Sequence, residues 1–261
     1  MMTVPDYRLP TVREAFHLIL LTFGLYLVFL MISGSFESKL RLLVLELAIV
    51  APVVFFVRYR GYSSRAVFRW RPVPIRLWML GIPIGTGLFI LTDELNRLIQ
   101  ARIPMQKEIL DGLLRDLIAQ SRAEAILLFL SVVLVAGLGE EMVFRGFLQG
   151  VLERTGNATR AILSAALIFA FLHFNPWWLI EIFILGVLTG VMAWRSASIF
   201  PGAAVHMTTN GIALLFLNLH PDRLEWFQPD SLIHPIRIGV AFVMVTGAFL
   251  LFWRWTGKES G

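Results

Sequence analysis

Residues 125–145 read AILLFLSVVLVAGLGEEMVFR. The uncharged stretch 125–139 runs straight into Glu140, Glu141 and Arg145. A transmembrane helix needs about 20 mostly apolar residues, so this run opens a membrane span, continues as helix to about Glu153, and carries its charges inside. Ionisable groups within a bilayer are costly, and each is a functional hypothesis by default.

The flanks repeat the apolar pattern. Residues 15–36 contain no Asp, Glu, Lys or Arg and form a first span, read as an anchor because no small-residue cleavage site follows it. Residues 42–57, interrupted by Glu46, form a second, and 77–92 a third. Residues 161–180 are uncharged, but Asn175-Pro176 divides them. Proline disfavours helix in the residue before it, so a fifth span ends near Phe174 and a sixth runs from Trp177 to Trp194. Residues 196–221 hold a seventh and 238–253 an eighth. The expected fold class is all-α, a polytopic integral membrane protein of about eight transmembrane helices with a buried polar site. It divides into residues 1–123 (three spans and an outer amphipathic segment), 124–219 (spans four to seven, which carry the polar site) and 220–261 (an outer loop, the last span and a short cytoplasmic tail).

Composition agrees. The chain of 261 residues is 57% hydrophobic and 16% charged, against about 45–50% and 25% in soluble domains. That excludes disorder, a soluble enzyme and a disulfide scaffold. With no cysteine there is no disulfide, thiolate nucleophile or Cys-based zinc site. The net charge of +5 falls in loops between spans and is read as membrane topology, with no nucleic-acid partner. Segment 58–76 carries Arg58, Arg60, Arg65, Arg69, Arg71 and Arg76 and no acid. The positive-inside rule places it, and hence both termini, in the cytoplasm. Were the source bacterial, the plasma or inner membrane is the expected location. The outer stretch 93–124 is mixed in charge, and its Ile109, Leu113, Leu114 and Leu117 have the spacing of a helix along the interface or in solvent. Gly81/Gly85 and Gly186/Gly190 have the small-xxx-small spacing of closely packed helices.

Three polar clusters interrupt the apolar spans: Glu140-Glu141-x-x-x-Arg145, Phe169-x-x-x-His173 followed by Asn175, and His206-x-x-x-Asn210. Glu141 and Arg145 are one helical turn apart and can pair, a structural role, whereas Glu140 points about 100° away without that partner. His206 and Asn210 share a face. Counted at 1.5 Å per residue from the nearest cytoplasmic helix end, Glu140, His173 and His206 lie at similar depths of roughly 17–20 Å, which points to one common site. A carboxylate and a histidine can deprotonate a water, and a second imidazole and an amide can donate to an oxyanion. That set suits peptide-bond hydrolysis. Glu and His are equally competent ligands of a zinc-type ion. The His-Glu-x-x-His pattern, a phosphate-binding glycine loop and a nucleophile elbow are all lacking.

These motifs, with the flanks Phe144-Arg145-Gly146 and His173-Phe174-Asn175-Pro176, resemble those of the CPBP intramembrane proteases, the CAAX-prenyl-protease and bacteriocin-processing (Abi) family. The resemblance covers about residues 124–219. It implies an eight-span fold, a site open to the cytosol and endopeptidase activity on a peptide or protein, a prenylated C-terminal tail being one substrate class. It further implies that Glu140 and His206 activate water and that His173 and Asn210 form an oxyanion hole. In a metal-dependent variant, Glu140, His173 and His206 hold a zinc-type divalent ion. Glu141 and Arg145 support the site. Two rival readings remain: a non-proteolytic membrane scaffold or bacteriocin-immunity-type protein on the same fold, and a transporter or proton relay, for which no inverted repeat is evident.

Plainer expectations attach to other residues. Glu46 and Glu181 could approach the site, a helix–helix hydrogen bond being the plainer expectation for each. His17, His220 and His234 lie at the surface. Trp177, Trp178, Trp194, Trp253 and Trp255 belong to an interfacial aromatic belt. The triplet Asn157-Ala158-Thr159 has glycosylation spacing but falls on the cytoplasmic side.

Overall fold

In a bilayer, backbone N–H and C=O groups must be satisfied within the chain, which leaves helices as the natural outcome for runs this apolar. The structure, a computed structural model, describes residues 9–32, 38–219 and 235–257. Among these residues there are helices and no strand. In order they are α1 (Val12–Ile32), α2 (Ser38–Tyr59), the short α3 (Ser64–Val67) and α4 (Ile75–Met79), α5 (Gly81–Arg102), α6 (Lys107–Leu117), α7 (Arg122–Thr155), α8 (Ala158–Phe171), α9 (Leu179–Ser196), α10 (Phe200–Leu219) and α11 (Pro235–Gly257). Seven of the described helices are long and apolar enough to cross a membrane, counting α4 and α5 as one, and α8 is a shorter apolar helix. Large apolar side chains such as Leu20, Phe55 and Val243 lie exposed on the outside, as lipid-facing residues do.

Several expected boundaries shift. The first helix is Val12–Ile32, whereas 15–36 was expected, and residues 33–37 lie outside the described residues. The third span does not stop at 92. Helix α5 runs on to Arg102, so Asp93, Glu94 and Arg97 lie in the helix and not in an outer loop. They are tolerated there because Arg97 Nη2 meets Asp93 at 3.0 Å and Arg237 of α11 reaches Glu94 at 3.5 Å. The fifth helix ends at Phe171, short of the expected Phe174, and at roughly 1.5 Å per residue its length is well under the ~30 Å of a bilayer core. Phe174 adopts φ 48°, and Asn175 Oδ1 accepts from the N–H groups of Trp177 and Trp178, so the Asn-Pro turn starts α9 at Leu179, two residues later than expected. The expected surface residue His17 is exposed, while His220 and His234 lie outside the described residues. Asn157 caps α8, its Oδ1 accepting from Thr159 N at 2.7 Å, which explains that triplet locally.

The segment expected at the interface forms α6, tied down at its C-terminal end. Lys39 Nζ donates to Arg115 O, Arg41 pairs with Asp116, and Asn218 of α10 donates to Leu117 O. Helix α7 lies centrally, packed against α2 and α10, while α8 pairs with α9 and α5 with α10 and α11. The small-residue pairs sit at such crossings. A Cβ on Gly81 would fall 2.5 Å from Ala204 Cβ, and one on Gly186 2.9 Å from Ala166 Cβ. These approaches bring α10 against α5, and α8 against α9, around the polar residues.

Candidate active site

Helix α7 does not have ordinary α geometry throughout. Its backbone hydrogen bonds run from residue i to i+5 over Phe129–Glu140 and again over Met142–Leu148. Such π-helical segments are rare and concentrate at functional sites. The wider coil is accommodated by close neighbours: a Cβ on Gly137 would fall 2.4 Å from Met207 Cγ, and one on Gly139 2.5 Å from Val50 Cγ2. The coil thus presents Glu140 and Glu141 to α10.

His206 of α10 stands between the two glutamates. Its Nε2 is 3.6 Å from Glu140 Oε2 and its Nδ1 3.3 Å from Glu141 Oε1. All three side chains are buried. An imidazole that donates Nδ1–H to Glu141 leaves Nε2 as an acceptor facing Glu140. His173, in the turn after α8, brings Nε2 to 3.9 Å from the other oxygen, Oε1, of Glu140. Its Nδ1 lies 2.8 Å from Phe169 O, which fixes the ring one turn back. Three helices therefore bring Glu140, His173 and His206 together, as their matching depths suggested. Each oxygen of Glu140 thus faces an imidazole from another part of the chain, just beyond hydrogen-bond distance.

Glu141 is more than half of an ion pair. Arg145 Nε is 3.4 Å from Glu141 Oε2, and Thr189 of α9 bridges them, accepting from Arg145 Nε at 2.9 Å and donating to Glu141 Oε1 at 3.2 Å. Arg145 lies 4.1 Å above the Phe169 ring, whose edge contacts reach His173 and His206. Gly186 and Gly202 leave room for these groups: a Cβ would come within 3.3 Å of Arg145 Nη2 or 3.2 Å of Glu141 Oε2. So the pair that holds Glu141 also orients His206. Thr189 was missed in the sequence, where the only signal is a lone hydroxyl between Gly186 and Gly190 in an apolar span.

Asn210 is one turn along α10 from His206, and its Nδ2 donates to Val132 O of α7 at 2.9 Å. One of its two amide N–H groups is thus committed to the π-helical backbone. Glu46 differs from expectation. Its Oε2 is buried with no hydrogen-bond partner among the described residues, and its carboxyl group lies within electrostatic reach of Glu140. Glu181 Oε1 is likewise buried without a described hydrogen-bond partner, within electrostatic reach of Asp93. Trp177 is anchored by its indole N–H to Ile103 O at 2.8 Å, and Trp194 packs with Trp253.

Glu140, His173 and His206 have the donor chemistry of a zinc site. The imidazoles, however, approach different oxygens of the carboxylate and flank it, where ligands about 2.0–2.2 Å from one ion would converge. No group of three or more His, Asp or Glu side chains among the described residues is arranged to hold a metal ion.

Residues 122–212 match the model of the Rce1-like family, described as type II CAAX prenyl endopeptidase Rce1-like. The matched segment contains all three polar clusters. Neither a curated protein nor a solved structure matches the chain.

Proposed function

We propose that this member of the CPBP family is an intramembrane endopeptidase that uses Glu140 and His206 to activate a water molecule. The family is one of CAAX-type proteases, so a peptide or protein substrate in a membrane setting follows from it. The observation that carries the finer reading is the buried Glu140 carboxylate flanked by Nε2 of His206 and Nε2 of His173.

In the proposed reaction, a water in contact with Glu140 and His206 Nε2 gives up a proton to Glu140 as it attacks the scissile carbonyl carbon. Low dielectric strengthens this pull, because neither group is fully hydrated. The new oxyanion receives hydrogen bonds from the second amide N–H of Asn210 and from Nε2–H of His173, which donates there in its imidazolium form because its Nδ1–H is held by Phe169 O. Glu140 then returns its proton to the leaving amine. Glu141 holds the Nδ1–H of His206, so its Nε2 keeps an open lone pair throughout. Arg145 and Thr189 hold Glu141 in turn. A substrate with a prenylated C-terminal tail suits the apolar surround, and we place the arginine-rich segment 58–76 and both termini on the cytoplasmic side.

The test is cleavage by the purified, detergent-solubilised protein of a prenylated peptide with a CAAX-type tail. Glu140→Ala and His206→Ala should each abolish cleavage while the protein still folds and inserts. Full activity in either variant would remove the proposed site. A Glu140→Ala protein that kept its cellular activity would mark a non-proteolytic scaffold.

A further inference from the structure

At one end of the bundle, just beyond Arg145 along α7, a cavity of about 360 Å³ opens between the chain entering α1, the α3 turn and the last turns of α7. That volume lies within the roughly 300–1,000 Å³ of small-molecule sites. Its walls are apolar at Val67, Phe147 and Val151, and its polar groups are Arg69, Glu153 and Arg154. Both oxygens of Glu153 are already engaged: Arg69 Nη2 bonds to its Oε2 and Gln149 Nε2 donates to its Oε1 at 2.7 Å. Arg69 Nη1 remains buried with no hydrogen-bond partner among the described residues. Arg154 donates Nη2 to Pro10 O at 2.8 Å, and its charge lies within electrostatic reach of Arg69. Two guanidinium groups and one carboxylate leave a net positive charge in a half-apolar cavity.

The backbone holds Arg69 in place at some cost. It adopts φ 52°, a left-handed conformation rare for a residue with a side chain, and such strain clusters at ligand clamps and other functional sites. Its carbonyl accepts from Ile199 N, and its guanidinium lies against Gly150, where a Cβ would fall 3.6 Å from Nε. Planar guanidinium forks match the tetrahedral oxygens of phosphate better than any other side chain. The cavity sits where α1 begins, α2 has ended and α7 ends, which is headgroup depth in a membrane.

We propose that this cavity binds a phosphate group, that of an anionic phospholipid headgroup, through Arg69 and Arg154. The test is thermal unfolding and titration of the detergent-solubilised full chain with phosphatidylglycerol, phosphatidylcholine or inorganic phosphate. Phosphatidylglycerol should bind and raise the melting temperature, and phosphatidylcholine should not. Arg154→Gln should weaken that binding about five-fold, the worth of one basic group at an anionic surface. Arg69→Gln should do at least as much, and Arg65→Gln, at an exposed site outside the cavity, should stay within about two-fold. Stabilisation by inorganic phosphate, lost in Arg154→Gln, would make a soluble phosphate the source and still support the site. Equal response of the wild type to both lipids with none to phosphate, or equal losses in Arg154→Gln and Arg65→Gln, would overturn the proposal. The wild-type comparison stands alone should a cavity variant fail to fold. None of these readouts depends on peptidase activity.

Discussion

Replacing Thr189 by valine removes one hydroxyl and almost no volume. In the wild type that hydroxyl accepts from Arg145 Nε at 2.9 Å and donates to Glu141 Oε1 at 3.2 Å, with all three side chains buried. Interhelical hydrogen bonds between neutral groups in membrane bundles average about 0.6 kcal/mol. Bonds to charged groups are worth about 1.5–3 kcal/mol, and their loss leaves the charge under-solvated. Both partners here are charged, and Arg145 Nη1 and Nη2 already lack hydrogen-bond partners among the described residues. The larger scale therefore governs, and Thr189→Val should cost about 2–4 kcal/mol. Thr189→Ser keeps the hydroxyl and gives up a methyl group, worth about 1 kcal/mol. Thermal unfolding in detergent should rank wild type, Ser and Val in that order, with the larger step between Ser and Val. The same substitution frees Glu141 to shift against His206. Misplacement by about 1 Å can cost 10²-fold, so kcat should fall ten-fold or more in Thr189→Val and little in Thr189→Ser. A valine variant as stable and as active as the serine variant would refute the bridging role of Thr189.

Other substitutions probe the remaining parts. Glu141→Gln leaves Arg145 buried without its counter-charge and should lose about 3–5 kcal/mol of stability; Glu141→Gln combined with Arg145→Met should recover most of that in the same unfolding assay, without restoring cleavage. Asn210→Ala should lower kcat by about 10²–10³, the usual worth of one oxyanion donor, with little change in KM. Gly81→Ala puts a Cβ 2.5 Å from Ala204 Cβ and 2.9 Å from Val205 N; overpacking of this kind should cost about 1–3 kcal/mol in thermal unfolding, and cleavage should fall with it because the shifted helix carries His206.

Much of this was legible in the sequence because a bilayer makes polarity conspicuous. Glu140, His173, His206 and Asn210 stand out in apolar spans, and matching depths predicted that three helices would meet. What escaped depends on contacts between helices. Arithmetic along α7 pairs Glu141 with Arg145, but it cannot show that His206 of α10 separates Glu141 from Glu140. It also assumes a period of 3.6, and the π-helical winding of α7 leaves no mark in the apolar pattern. Helix α5 was ended too early at the charges of 93–97, since Arg237 is distant in sequence and its proximity to Asp93 and Glu94 is a tertiary fact. Glu46 was read as either bonded to a neighbouring helix or near the site, and in the structure its buried Oε2 has no described hydrogen-bond partner and its carboxyl group lies within electrostatic reach of Glu140.

The central claim is that the Glu140 carboxylate takes the proton from water. Cleavage of a prenylated peptide by wild type and by Glu140→Gln, each with and without a chelator of divalent metals, tests it most directly. The substitution keeps the shape and one acceptor oxygen, and replaces the charged base with a neutral amide. The account predicts cleavage by wild type unaffected by the chelator, and none by Glu140→Gln under either condition. Undiminished cleavage by Glu140→Gln, or chelator-sensitive cleavage by wild type that added zinc restores, would contradict it.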